Sequence, residues 1–332
     1  MTISLDITAT GWITTLQDLG RRDTEQLGVP TGGAADQHSA SVANILVGNP
    51  RDAALVESLG GEFAFVPDAD ILLAVTGAPA EVTVGHAHVD AWTPVVVPAG
   101  YEVRIRDTHI GTRVYVAVNG AIATERFLGS AAPDPRMGFT QAIARGATLR
   151  LESSFLGFRH DYFDQTLFRL PVPVMRFEDG PWTIDIVESA ELDGIRGMRD
   201  LLGSSTYTVT DRSNHVGLRL NGPVAHPDSD EEIVSHGVPI GALEVPHSDE
   251  LIVLGRYRSL TAGYPIVGFA TRASLPVLGQ AGPGRELRFR WVDRFEAVRH
   301  QSQREGELRT LTTAVTDAFE ALGFASTVPV AG

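Results

Sequence analysis

A glycine pair directly before a short apolar helix is the first feature of the sequence that could carry chemistry. Residues 30–36 read PTGGAAD, and the apolar stretch that follows stops at Gly48. Gly32 and Gly33 permit a positive φ angle and a close backbone approach to a ligand, and a helix N-terminus favours an anion or a carbonyl oxygen. Asp36 is also a good N-cap, so a plain tight turn before a capped helix explains the same residues. The pattern alone leaves both interpretations open.

An acid and an arginine lie three residues apart in the segment QDLGRR, residues 17–22. Asp18 and Arg21 are of the types that hold a planar carboxylate-like or amide-like group, because a guanidinium donates two parallel hydrogen bonds. The same two types are also typical of a surface ion pair, which contributes little to stability. Taken alone, the spacing favours the surface pair.

Polar side chains gather in two segments of the second half that are rich in Gly and Pro, 213–223 and 234–250. An acid–base pair could come from six residues of these segments, which are His215, Arg219, Ser235, His236, Glu244 and His247. The adjacent Ser235 and His236 do not predict a catalytic triad, because neighbours on a strand point to opposite faces. The sequence has no G-x-S-x-G elbow. Tyr264 follows a permissive glycine in the run LTAGYP.

No metal site is predicted from the sequence. His86 and His88 form an H-x-H pattern on a predicted strand, where alternate residues share a face. A third histidine or a glutamate does not follow at a spacing typical of a metal site. Two solvated histidines at a strand edge therefore explain the pattern.

Short β-strands must position these residues, since runs of β-branched or alternating residues closed by Gly, Pro or Asp dominate the chain. Clear examples are ILLAVTG at 71–77, TRVYVAVNG at 112–120 and RELRFRWV at 285–292. Helices are predicted at 36–47, near 190–202, and from about residue 293, where apolar residues recur at steps of three and four. Many short strands with few helices favour a mainly β protein built from barrels.

Composition excludes several classes of function. The net charge is −14, which argues against nucleic acid as a partner, and no apolar run is long enough to span a bilayer. The N-terminal stretch lacks the pattern of a leader, so we expect a cytoplasmic protein. The chain has no cysteine and no lysine, and all 27 basic residues are arginine. A thiolate nucleophile, a P-loop lysine, a Schiff base and a biotinylated lysine are therefore excluded on this chain.

Several longer motifs follow one another in a fixed order. They are TTLQDLGR, GVPTGGAAD, ANILVGN, LVESLGG, GLRLNGP, EEIVSHGVPIGALEVP, AGYP and LPVLGQAGPG. In these motifs, over nearly the whole chain up to about residue 293, the sequence resembles the KipA family. The family includes the C subunit of 5-oxoprolinase, allophanate hydrolase subunit 2 and the biotin-dependent carboxyltransferase domain of urea carboxylase.

The resemblance implies a mainly β fold of two cyclophilin-like β-barrel halves with a few short helices and a C-terminal helix. We expect an N-terminal half over residues 1–168 with the Gly-rich turn and helix, a C-terminal half over 169–293, and a helix and tail over 294–332. The family also implies partners. These are a KipI-like (allophanate hydrolase subunit 1-like) protein as the B component and, in the oxoprolinase system, a LamB/YcsF-type protein as the A component.

Three functions are consistent with the resemblance. The favoured one is the C-type subunit of an amide-processing complex like ATP-dependent 5-oxoprolinase, acting on 5-oxoproline or another small lactam or urea-like amide, with ATP used at the level of the complex. The second is a biotin-dependent carboxyltransferase on a urea- or guanidine-like acceptor, with biotin supplied in trans. The third is a non-catalytic KipA-like regulatory subunit that binds a KipI-like partner.

The resemblance also implies the residues of the site. Asp36 or Glu57 would act as the base, and Arg21 and Arg219 would clamp an oxyanion or a carboxylate. Seven further residues would bind the substrate, namely Asp18, Gly32, Gly33, Asn44, Ser235, Glu244 and Tyr264.

The chain departs from the family pattern at several polar positions. Ala131 and Ala132 stand where Arg and Ser are usual, and Glu244 stands in place of Gln. His215 and Tyr257 replace Arg and Asp. Removal of a charged hydrogen bond from a buried site would cost on the order of 2 kcal/mol for each position. Either the substrate differs from that of the family, or this copy has become structural.

Overall fold

The computed structural model of the chain describes residues 1–107, 110–159, 170–227, 233–246 and 250–324. Over these residues the fold is mainly β, as predicted, with twenty-one strands and four α-helices. The predicted boundary between residues 168 and 169 lies outside the described residues, and so does His247. The chain forms two compact units, each of which is made of more than one stretch of sequence.

The first unit consists of Met1–Gly20, Gln37–Met175 and Glu305–Gly332. Its strands are β1 (Thr2–Ala9), β2 (Ile13–Gln17), β3 (Leu55–Leu59), β4 (Glu62–Pro67), β5 (Ile71–Gly77), β6 (Ala80–Val84), β7 (Ala87–Val89), β8 (Val95–Val97), β9 (Val103–Asp107), β10 (Arg113–Val118), β11 (Ala121–Ile122) and β12 (Thr148–Glu152). They form a seven-stranded sheet in the order β11-β12-β1-β4-β9-β6-β7 and a five-stranded sheet in the order β2-β3-β10-β5-β8.

Alternation along the strands explains how the first unit builds its core. Ile3, Leu5 and Ile7 of β1 are buried, and the period of two places them on one face. There they join Phe63 and Phe65 of β4 in a single apolar cluster.

A short helix, α1 (Gln37–Leu46), packs against β5 and β10 of the first unit. It confirms the helix predicted at 36–47. Every residue of β5 is buried, which its β-branched and apolar run predicts. The hydroxyl of Thr76 on this strand donates to the carbonyl of Ser39 at 2.7 Å. Gly48 ends the helix with a positive φ of 74°.

The second unit consists of Arg21–Asp36 and Arg176–Arg304. Its strands are β13 (Trp182–Glu188), β14 (Thr206–Val209), β15 (Gly217–Asn221), β16 (His236–Gly237), β17 (Ala242–Glu244), β18 (Leu251–Leu254), β19 (Thr261–Ala262), β20 (Ile266–Ala270) and β21 (Glu286–Trp291). Seven of them close into a barrel in the order β13-β20-β17-β18-β15-β14-β21, while β16 and β19 form a separate two-stranded sheet. The helices α2 (Met198–Ser204) and α3 (Leu275–Gln280) accompany the barrel.

Closure of the barrel pairs both edges of each of its seven strands, which protects them from pairing with another chain. The residues in its apolar core include Tyr207, Leu243, Leu251, Val253, Val267, Leu287 and Phe289. Leu243 is followed at once by Glu244, and the pairing of β17 with β20 shifts register between these two residues. Glu244 therefore ends β17 at an irregular point of the ladder, directly opposite Ile266.

The predicted C-terminal helix is α4 (Arg294–Ala321). Its buried residues recur at steps of three and four, as expected for one apolar stripe, and are Leu308, Leu311, Val315, Ala318 and Phe319. The ring of Phe319 lies 5.7 Å from that of Phe158 and 5.4 Å from that of Phe324. Among the helices that the structure describes, none has both the length and the apolar character needed to cross a membrane.

Candidate functional site

The Gly-Gly turn belongs to the second unit and lies against residues 256 and 257. The N–H of Gly32 donates to the carbonyl of Arg256 at 3.1 Å, and Nε of Arg256 donates to the carbonyl of Gly32 at 2.7 Å. Gly32 has a φ of 60°, and a Cβ added there would meet Nη1 of Arg21 at 2.9 Å and Cε1 of Tyr257 at 3.0 Å. Only glycine therefore lets the backbone pass this close to a guanidinium and an aromatic ring.

Arg21 is the charged group of this turn. It is 2% exposed, and its backbone N–H donates to the carbonyl of Thr31 at 2.7 Å. The hydroxyl of Tyr257 accepts from the N–H of Gly33 at 3.4 Å, and the ring of His215 meets that of Tyr257 edge-on at 5.6 Å. We call Arg21, Gly32, Gly33 and Tyr257 the cradle. A buried guanidinium suits a carbonyl oxygen or a carboxylate, because it carries several donors in one plane.

Asp36 lies at the end of the same segment and is completely buried. Nε2 of Gln280 donates to its Oδ2 at 2.9 Å. A Cβ added at Gly279 would meet the carbonyl of Ala35 at 2.5 Å, so helix α3 passes directly over the segment. Packing and a side-chain hydrogen bond thus fix the carboxylate of Asp36, the predicted base, within the second unit.

A second group of polar residues lies where β16 and β19 meet the barrel. The ring of His236 lies with Nε2 at 3.3 Å from Oε1 of Glu191, whose Oε2 accepts from the N–H of Ile266 at 2.7 Å. Glu244 is 4% exposed, and burial raises its pKa to about 7, although the charge of His236 acts in the opposite direction. We call His236, Glu191 and Glu244 the acid–imidazole cluster.

Two other predicted residues accompany this cluster. Ser235 precedes β16 and is exposed, and Tyr264 follows β19 with 38% of its surface exposed. Gly263 lies close to Ser235, since a Cβ there would be 3.5 Å from Oγ of that serine. The segment of residues 256–264 therefore runs from the cradle to the acid–imidazole cluster within the second unit.

Arg219, the predicted anion clamp, lies on β15 and pairs with Glu250. Arg212 binds the other carboxylate oxygen of Glu250 at 2.7 Å. Glu250 is buried, so two arginines neutralise one carboxylate. Arg219 is thus engaged in an ion pair on the barrel.

Three predicted residues lie in the first unit instead. Asn44 is buried in α1, where its amide donates to the carbonyl of Ala53 at 2.9 Å. Glu57 is on β3 and accepts from the hydroxyl of Tyr115 at 2.7 Å. Asp18 is buried and accepts hydrogen bonds from the loop of residues 126–131. The expected surface position of Asp18 and Arg21 is wrong, because both side chains are buried.

Three residues that complete these arrangements are not indicated by the sequence as site residues. Tyr257 stands out only as a departure from the family pattern, and Gln280 and Glu191 belong to no pattern that suggests chemistry. Only the polarity of the runs around them could have pointed to them, since their partners lie far away along the chain. Among the described residues, no group of three or more His, Asp and Glu side chains is arranged to hold a metal ion.

Comparison with solved structures shows which proteins share this fold. A crystal structure of the urea amidolyase of K. lactis matches 99% of this chain with a TM-score of 0.82 at 20% sequence identity, which shows the fold alone. A crystal structure of the protein TTHA0988 matches 87% of the chain with a TM-score of 0.75 at 27% identity. The chain spans 56% of the length of TTHA0988 and 20% of the urea amidolyase.

The sequence comparison then gives the family. The model of the carboxyltransferase domain, subdomain A and B, matches residues 27–291, and the chain belongs to this family. It is 28% identical over 313 residues to the C subunit of 5-oxoprolinase from Escherichia coli, covering 91% of this chain and 95% of that protein. The resemblance inferred from the motifs is therefore confirmed.

Proposed function

We propose that the chain is the C-type subunit of an amide-processing complex that opens 5-oxoproline or another small lactam or urea-like amide. The observation that carries the proposal is the match to the C subunit of 5-oxoprolinase, which runs over 91% of this chain and 95% of that protein. Two chains that correspond over nearly their full lengths share the elements from which a site could be built.

The cradle supports a small planar amide as the substrate. Arg21 supplies a fixed positive charge, and the glycine at position 32 lets the backbone pass close to its guanidinium. Fixed donors stabilise the negative charge that develops on an amide oxygen when the carbonyl carbon is attacked. Asp36, held by Gln280, remains the residue that we assign as the base.

The proposal includes partners and ATP. We assign a KipI-like B component and a LamB/YcsF-type A component to the complex, because the name of the relative from Escherichia coli describes one subunit of several. ATP would be used by the assembled complex. We assign the cradle to the amide, whose carbonyl oxygen can accept a hydrogen bond from the buried guanidinium of Arg21.

The test is reconstitution from the three subunits. We expect ATP-dependent release of glutamate from 5-oxoproline by the complex, and a loss of at least about a hundredfold in kcat for Asp36→Asn. Asp193→Asn, which changes an exposed carboxylate of the same unit, is the matched control and should keep the wild-type rate. A stable stoichiometric complex with no turnover of any small amide would contradict the proposal and favour the regulatory role.

A carboxyltransferase is the second candidate, because the matching family is described by that activity. The cradle would then hold the carbonyl of a urea-like acceptor. Since the chain has no lysine, the carboxybiotin must come from another chain. Incubation with a carboxylated biotin carrier and urea or guanidine should yield a carboxylated acceptor, and absence of transfer to both acceptors would exclude this candidate.

A further inference from the structure

The ring of Tyr257 and the guanidinium of Arg21 meet at one point of the cradle. A Cβ added at Gly32 would lie 2.9 Å from Nη1 of Arg21, 3.0 Å from Cε1 of Tyr257 and 3.2 Å from its Cζ. Arg21 is buried, whereas Tyr257 is only half-buried. A group that accepts a hydrogen bond from this guanidinium therefore lies beside an aromatic ring.

Hydrogen bonds on both sides fix the ring of Tyr257 at the turn. The N–H of Gly32 donates to the carbonyl of Arg256 at 3.1 Å, and Nε of Arg256 donates to the carbonyl of Gly32 at 2.7 Å. The N–H of Gly33 donates more weakly to the hydroxyl of Tyr257 at 3.4 Å. A ring that is held in place before a ligand arrives loses little conformational freedom when the ligand packs on it.

The ring of His215 forms a corner with that of Tyr257. Their centroids are 5.6 Å apart, and the two planes meet at 82°. The two segments that carry these rings are tied together, since the N–H of Gly255 donates to the carbonyl of Val216 at 2.8 Å. A Cβ added at Gly255 would meet the carbonyl of His215 at 3.1 Å. The cradle is therefore bounded by an aromatic corner that close backbone packing supports.

This corner replaces two charged residues of the family pattern. His215 stands where an arginine is usual and Tyr257 where an aspartate is usual, and the two replacements contact each other. An aspartate accepts hydrogen bonds from N–H groups such as those of urea or guanidine, whereas an aromatic ring packs against carbon. The cradle of this chain therefore suits a substrate with a carbonyl oxygen for Arg21 and methylene groups beside Tyr257.

We propose that Tyr257 determines the specificity of the cradle, which takes a cyclic amide whose ring carbons pack on the tyrosine and whose carbonyl oxygen accepts from Arg21. This inference rests on the proposed function and narrows its substrate class to lactams. Open-chain urea has the carbonyl oxygen but no methylene group that could be buried against the ring. A lactam such as 5-oxoproline is therefore bound in preference to urea, and Tyr257 supplies the difference.

The kinetic test compares Tyr257→Ala with Tyr257→Phe in the reconstituted complex. Tyr257→Ala should raise KM for 5-oxoproline at least about tenfold with kcat changed by less than about threefold, because the ring binds the substrate and takes no part in the chemical step. Tyr257→Phe keeps the ring and should recover most of this loss. Tyr101→Ala, which changes an exposed tyrosine of the first unit, is the control and should match the wild type. A KM that is unchanged in Tyr257→Ala, or raised equally in Tyr257→Phe, would overturn the inference and leave the proposed function intact.

A matched pair of ligands tests the ring contact without turnover. Urea and 2-imidazolidinone share the urea group, and the second adds two ring methylenes. Calorimetric titration of the full-length chain should give 2-imidazolidinone a dissociation constant about tenfold lower than that of urea, and nearly equal constants in Tyr257→Ala. Equal constants in the wild type, or no binding of either ligand, would overturn the inference. A wild-type complex that turns over no small amide while the chain keeps this preference would overturn the proposed function alone.

Discussion

Asp18 in the first unit and Glu244 in the second are equally buried carboxyl groups, each 4% exposed, but their surroundings differ. Oδ1 of Asp18 accepts from the N–H of Gly20 at 2.8 Å and from the hydroxyl of Ser130 at 2.5 Å. Its Oδ2 accepts from the N–H of Ala131 at 2.7 Å and faces a guanidinium nitrogen of Arg126 at 3.5 Å. Both oxygens of this carboxylate therefore have two donors.

Glu244 is not surrounded by hydrogen-bond donors in this way. Its Oε1 lacks a hydrogen-bond partner among the described residues, and its pKa is raised to about 7. A buried carboxylate with donors on both oxygens holds a loop together, whereas a carboxyl without donors is stable only when it keeps its proton. These two carboxyl groups are equally buried but have different roles, because their hydrogen-bond donors differ. Asp18 fixes structure in its unit, whereas Glu244 is stable in its buried position only when it is protonated.

The largest expected effect is that of removing the satisfied carboxylate. Asp18→Ala leaves the N–H of Ala131 and the hydroxyl of Ser130 buried without their acceptor, and we expect it to lower the free energy of unfolding by about 4 kcal/mol. Asp68→Ala is the control, because Asp68 is exposed and accepts one hydrogen bond, from the N–H of Ser4. It should cost less than about 1 kcal/mol. Urea unfolding measures both values, and equal costs would remove the contrast.

Removal of the unsatisfied carboxyl of Glu244 should change the free energy of unfolding in the opposite direction. The pKa of Glu244 in the folded chain is about 7 against 4.5 for an ordinary glutamate, so the folded state binds the proton more tightly. Stability therefore falls as the pH rises from about 4.5 to 7, by up to about 3 kcal/mol, because each pKa unit corresponds to about 1.4 kcal/mol. Glu244→Gln should remove this fall and be more stable than the wild type at pH 8.

The check is thermal or urea unfolding of both proteins at pH 5 and pH 8. At pH 5 the two should differ little, because Glu244 is protonated in the folded wild type. A variant that loses stability equally at both pH values would show that Glu244 contributes by packing alone. Such a result would also remove the contrast between Glu244 and Asp18.

The strands and the apolar helices could be predicted from the sequence, because each is set by a local pattern. The run at 71–77 coincides with β5 to the residue, and the helix predicted from about residue 293 begins at Arg294. A period of two along a strand and apolar steps of three and four residues along a helix depend only on neighbouring residues. They can therefore be recognised without knowledge of the tertiary contacts. The second predicted helix, near 190–202, is instead a 3₁₀ turn at Leu192–Gly194 followed by α2.

The polar arrangements could not be predicted in the same way. The placement of residues 21–36 in the second unit, the contact of Gly32 with Tyr257 and the contact of His236 with Glu191 all join distant parts of the sequence. These contacts depend on how the strands of the barrel pair, and a local sequence pattern does not specify that pairing. The motifs of the family indicated Gly32 and Gly33, but not the ring that packs on them.

The cradle in the second unit offers a test at a single backbone position. Gly32→Ala places a Cβ at 2.9 Å from Nη1 of Arg21 and 3.0 Å from the Tyr257 ring, at a φ of 60°. We expect a loss of about 2 kcal/mol in stability and weaker binding of 5-oxoproline, since the guanidinium must move. Gly28 has a φ of 77°, and a Cβ added there would meet no atom within 4 Å. Gly28→Ala should therefore cost only the backbone strain, about 1 kcal/mol. Equal stability and equal binding in the two variants would show that the close approach at Gly32 has no consequence.

The smallest expected effect is that of removing one hydrogen-bond donor of Asp18 while its carboxylate remains. Ser130→Ala removes one hydroxyl that donates to Asp18 and accepts from the N–H of Ala132 at 3.0 Å. Because Asp18 keeps the N–H groups of Gly20 and Ala131, the cost should be about 1 kcal/mol by urea unfolding, well below that of Asp18→Ala. Ser204→Ala, which alters an exposed serine of α2, should change stability by less than about 0.5 kcal/mol. If Ser130→Ala cost as much as Asp18→Ala, a single donor would carry the loop, and the stability of this region would not come from shared donors.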